Sequence, residues 1–125
     1  MSRDHRKLRV FGGAHQLTLA IYKHTRDFPK DEWFGLRSQM RRAAVSIPSN
    51  LVEGIARSGT TDYCRFCNLS LGSACELKYL AALTEELGFA SGPDWAHVRN
   101  QCDAVVKQLQ RLVDGLSERL PSDRE

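Results

Sequence analysis

An all-α fold, an antiparallel up-down-up-down four-helix bundle assembled as a homo-oligomer, is what this sequence predicts. Three observations lead there. Four stretches repeat apolar residues at three- and four-residue steps, and short breaks join them. No stretch alternates in the manner of a strand. Two of the four helices are apolar on a second side, which a lone bundle would leave in water. The 125 residues suffice for one core. The expected organisation is an irregular N-terminal arm over 1–13, the bundle over 14–120 and a polar tail over 121–125.

The first helix is expected over 14–28, with Ala14, Leu17, Ile21, Thr25 and Phe28 on one side. Pro29 ends it, because the residue before a proline is pushed out of the helical region. The second is expected over 31–57. Trp33, Leu36, Met40, Ala44, Ile47, Leu51 and Ile55 share its inner face, and Phe34, Val45 and Val52 form a second one. Pro48 lacks an N–H, so a kink or irregular turn is expected there. Ser58-Gly59-Thr60-Thr61 breaks the pattern and offers capping hydroxyls. The third helix follows over 61–87. Its inner face holds Tyr63, Phe66, Ser70, Ser73, Leu77, Leu80, Thr84 and Leu87, with Cys64, Leu71, Cys75 and Ala82 on the opposite side. Gly88 suits the position after its end. Pro93 suits the first turn of the fourth helix. There Trp95, Val98, Cys102, Val105, Leu109, Leu112 and Leu116 form a heptad seam among polar neighbours.

Composition excludes several classes. No apolar run is long enough to span a membrane. The basic start MSRDHRKLRVFGG has no apolar core of a secretory signal. Four cysteines placed on helices, with no export signal, point to reduced thiols and a cytoplasmic location. Cys64-x-x-Cys67 invites zinc, but Cys75 lies about 16 Å of helical rise from Cys64, far beyond the reach of a common metal. A site built from Cys64, Cys67 and groups on other helices stays open. The glutamates lack the Glu-x-x-His pairs of di-iron bundles, the serines lack a nucleophile elbow, and no phosphate-binding glycine loop occurs. No catalytic set, metal or cofactor is expected, and the chain is read as non-enzymatic.

Charge is uneven. Residues 1–42 carry ten Lys and Arg against four acids, a net +6 within a total of +3. Such asymmetry marks either a nucleic-acid-facing side or a basic tail with a solvated helix face. Arg37, Arg41 and Arg42 are the candidate phosphate contacts, because a guanidinium matches phosphate oxygens bidentately. For Arg37 and Arg41 intersubunit or intrahelical pairing with Glu53, Glu76 or Asp62 leads over the phosphate reading. Arg42 points away from the apolar face, and there the phosphate reading leads. The candidate contacts between copies are Phe34, Val45, Val52, Cys64, Leu71, Cys75 and Ala82.

The block RRAAVSIPSNLVEG at 41–54 resembles bacterial four-helix-bundle proteins encoded in intervening sequences of large-subunit ribosomal RNA genes. The flanking blocks AIYKHTRDFPKDEWFGLRSQ and DYCRFCNLSLGSACELKYLAALTEELGF are similar too, so the likeness covers about 14–90. The chain departs at Phe11-Gly12-Gly13, where many relatives carry Trp-Gln-Lys at the start of the first helix. The resemblance implies a bundle closed into a homopentamer. It also implies a distant relation to accessory proteins of diversity-generating retroelements, which bind nucleic acid and a reverse transcriptase. The expected function is a non-enzymatic oligomer associated with RNA or DNA. The alternative is a structural module that recruits a partner protein and has no affinity for nucleic acid.

Overall fold

A computed structural model describes residues 8–120 as four helices: α1 Arg9–His24, α2 Leu36–Ala56, α3 Thr60–Glu86 and α4 Gly92–Ser117. Among the described residues there is no strand, and no helix is long and apolar enough to cross a membrane. Each helix packs on its two neighbours in the cycle α1–α2–α3–α4 and on neither diagonal. With short connections this is the up-down-up-down bundle. Leu17, Ile21, Met40, Ile47, Leu51, Leu77, Val98 and Leu109 fill its centre. At one end Phe28 packs against Trp95 and Phe89, with ring centroids 6.3 and 6.0 Å away. The Trp95 indole N–H donates to Ala81 O at 2.9 Å.

The N-terminal arm expected over 1–13 is too long: α1 already begins at Arg9, and residues 1–7 lie outside the described ones. Gly12 and Gly13 disfavour a helix by about 1 kcal/mol each. The inner face nevertheless extends one turn back to Val10, which is buried, and that burial overrides propensity. The tail expected over 121–125 also lies outside the described residues. The second helix starts later than expected, at Leu36. A single 3₁₀ turn, Lys30–Glu32, precedes it, and Glu32 Oε1 accepts the Leu36 N–H at 3.1 Å. Trp33 therefore sits before α2 rather than on its inner face, its indole N–H donating to Phe28 O at 3.1 Å. No side chain caps α3; Gly59, at φ +95°, takes that position in place of the expected hydroxyls. The C-terminus of α3 follows expectation. Gly88 has φ +79°, and the Phe89 and Gly88 N–H groups return to Thr84 O and Glu85 O.

Helix α2 runs through Pro48 as one element. A proline at 48 leaves the Ala44 carbonyl without its N–H donor. The Thr18 hydroxyl of α1 lies 3.1 Å from it and shares its single proton between that carbonyl and Ala14 O of its own helix, at 2.8 Å. A side chain from the neighbouring helix thus repairs the gap in the ladder. On the α3 side, the buried Ser70 hydroxyl donates to Ile47 O at 2.8 Å. At Gly54 a Cβ would stand 2.8 Å from Phe66 Cβ, so α2 and α3 approach too closely there for any side chain.

The expected second face of α3 is corrected. Cys64 is a core residue at 5% exposure, its sulfur 4.0 Å from the Ser117 hydroxyl of α4. Leu71 and Ala82 are half-buried, Leu71 against the core, and of the four only Cys75 is exposed. The two stripes of α3 lie about 150° apart. Cys67, Ala74 and Ala81 fill the arc between them and are buried. The stripes therefore merge into one wide face that α2 and α4 cover in large part, with Cys75 at its exposed edge.

Candidate nucleic-acid interface

The end of α1, the connection over 25–35 and the first turns of α2 bring cations and aromatic rings together. Arg41 is built into this corner. Its Nε–H donates to the buried Thr25 hydroxyl at 3.0 Å, and a terminal N–H donates to Tyr22 O at 3.1 Å. Its guanidinium lies 4.6 Å from the Tyr22 ring centroid. Burial, then the nearby charges of Arg37 and Arg26, push its pKa below the ordinary arginine value; Tyr22 acts the other way. Arg37 lies 4.3 Å over the Trp33 ring and the Lys30 ammonium 5.8 Å from it. Among the described residues, Arg26, Lys30, Arg37 and Arg41 form no ion pair. Phe34, beside Trp33, is 95% exposed.

Sequence reasoning named Arg37 and Arg41 but missed Arg26, Lys30, Tyr22 and Trp33. The three-residue step from Lys30 to Trp33 was a usable signal. The tertiary approach of Tyr22 to Arg41 was not. Within the chain Arg37 and Arg41 pair with none of Glu53, Glu76 and Asp62: Glu53 pairs with Arg57, and Asp62 with Arg65. Arg42 does not join the cluster. It borders a depression of about 430 Å³ between α2 and α3, with Gln39, Ser46, Ser73 and Glu76. The Gln39 amide donates to Glu76 there at 3.1 Å, and the Ser46 and Ser73 hydroxyls share a 2.8 Å hydrogen bond. A carboxylate in the same depression opposes a phosphate at Arg42.

The second face of α2 is real but divided. Val45 and Val52, 39% and 40% exposed, join Phe11, His15, Pro48 and Ala56 around an apolar groove of about 660 Å³ between α1 and α2. Phe34 does not line it and directly follows Trp33 in the chain.

Among the described residues no three His, Cys, Asp or Glu come together as a metal site. All four cysteines are free thiols. Burial, then Asp103, pushes the Cys102 thiol up to about 12, so it stays protonated and a poor metal ligand.

The fold is similar to the crystal structure of a protein of unknown function from the S23 ribosomal protein family of Bacteroides thetaiotaomicron. The TM-score is 0.76 at 18% identity, over 84% of this chain and 95% of that one. No curated protein matches the chain. The 23S rRNA-intervening sequence proteins match it over residues 6–111, so the chain belongs to that family.

Proposed function

We propose that this protein is a non-enzymatic, cytoplasmic homo-oligomer, a pentamer, that associates with RNA or DNA through the α1–α2 side of its bundle. One observation carries the nucleic-acid part. At the end of α1, the connection and the start of α2, Arg26, Lys30, Arg37 and Arg41 stand with Asp27, Asp31 and Glu32, and none of these four cations is in an ion pair with a described residue. All four described ion pairs lie between residues 53 and 103. A side whose positive charge is left uncompensated suits a phosphate backbone. The oligomer rests on the α1–α2 groove, whose apolar lining gains by leaving water. Its order of five rests on the family resemblance.

The test is RNA binding at about 50 and about 200 mM salt. Binding that weakens steeply with salt is expected, and absence of binding at the lower salt refutes the reading. The same groove favours the second reading, a module for a partner protein. Purified material whose absorbance ratio is unchanged by nuclease, and which carries one stoichiometric protein, would establish that one instead.

A further inference from the structure

We propose that the basic corner is a single-strand-specific nucleic-acid site, in which an unpaired base stacks on Phe34 while Lys30, Arg37 and Arg26 hold the flanking phosphates. This deepens the nucleic-acid reading above and rests on it. The corner separates into two parts. Trp33 is fixed by its hydrogen bond to Phe28 O, and Arg37 and Lys30 lie over its ring. Those groups make a cationic shelf whose ring is already covered. Phe34 is the bare ring, 95% exposed, with no packing partner among the described residues.

A bare phenyl ring one residue from a ring that carries two cations suits a single strand: rings take base faces, and cations take the backbone. A duplex offers the cations its phosphates but keeps its bases stacked, so it leaves Phe34 unused. A second copy of this chain is a poorer occupant. A twofold contact of corner on corner would set Arg26, Lys30 and Arg37 against their own images, and a ring contact between unlike patches is what the mass of the Phe34→Ala variant tests. Asp27, Asp31 and Glu32 share the connection, yet none lies within ion-pair distance of these cations, and the Glu32 carboxylate is turned to the Leu36 N–H. Arg41 acts differently: both its bonded donors are used within the protein, so it is a positioning residue that holds α1 against α2 at the corner.

The experiment is fluorescence anisotropy of the full-length protein with a labelled oligouridylate of about twelve nucleotides and with an RNA duplex of the same length, at about 50 mM salt. The single strand is expected to bind more tightly. Phe34→Ala should weaken it about tenfold or more and leave the duplex unchanged. Lys30→Gln and Arg37→Gln should weaken both probes, and Arg42→Gln neither. Phe34 is exposed, so its alanine variant should keep its circular dichroism and its mass by light scattering. If the wild type binds RNA but prefers the duplex, or ignores Phe34→Ala, the single-strand site is wrong while nucleic-acid association stands. A lower mass for Phe34→Ala would assign the ring to a contact between copies and overturn the site. No binding of either probe overturns both readings.

Discussion

Thr18 and Pro48 show how one residue's cost is met by another from a different helix. Valine at 18 keeps the shape but removes the donor, leaving the Ala44 carbonyl of a fully buried residue unpaired. Thr18→Val should therefore cost about 1–2 kcal/mol. In a Pro48→Ala background the amide at 48 returns to that carbonyl, and Thr18→Val should cost measurably less. Urea melts of the four-protein cycle give the coupling; equal costs in both backgrounds would refute the pairing. Cys102 supports a second expectation. Its folded pKa is raised from 9.0 to about 12, so above pH 9 the unfolded chain releases a proton that the folded one keeps. Stability falls as pH rises from about 9 toward 12. Lysines and tyrosines titrate in the same range, so the readout is the difference in slope between wild type and Cys102→Ala. The pattern of residues identified Cys102 as inward-facing. It gave no sign that Thr18 was anything but a helix-surface threonine, because its partner lies 26 positions away.

At the scale of elements, periodicity located all four helices, and the errors fell where a local rule met a tertiary one. Gly12 and Gly13 argue locally against a helix, but Val10 finds the core and α1 extends to meet it. On α4 a strict heptad points to Leu112 as the inner residue after Leu109. A straight helix drifts about 20° per heptad from that repeat. By the sixth turn Val113 has rotated inward to 6% exposure, and Leu112 is only half-buried. The substitution order should follow the structure: Val113→Ala should cost about 2 kcal/mol, and Leu112→Ala less, despite removing more atoms. Thermal melts of the two variants decide it, and a larger loss for Leu112→Ala would favour the heptad reading. The basic corner was half legible for a related reason. Arg37 and Arg41 fall one turn apart on a helix and are visible as a pair. Tyr22 and Thr25 join Arg41 only because α1 folds back beside α2.

At the scale of the molecule, two apolar faces on one helix do not by themselves require a second copy. Every helix of a square bundle meets two neighbours, so α3 buries most of both stripes inside the chain, with Cys75 and Leu87 left exposed. Helix α2 differs. Ala43, Ala44, Ile47 and Leu51 are buried in the bundle, whereas Val45 and Val52 lie further round and line the open α1–α2 groove. Val45 and Val52 are thus the candidate contacts between copies that the bundle leaves accessible, whereas Cys64 is buried inside it. A carboxylate at 45 would enter the groove without touching the core. Were several hundred Å² of groove covered in the assembly, about 25 cal/mol per Å² would be gained per subunit before association costs. A buried, unpaired charge offsets much of that. Light scattering coupled to size exclusion at micromolar concentration should give the wild type a mass of roughly five times the 14.1 kDa chain. Val45→Glu should lower that mass while keeping the helical circular dichroism. A wild-type mass near one chain would refute assembly, and a dimer or tetramer only its order. A Val45→Glu variant of undiminished mass would move the contact away from this groove.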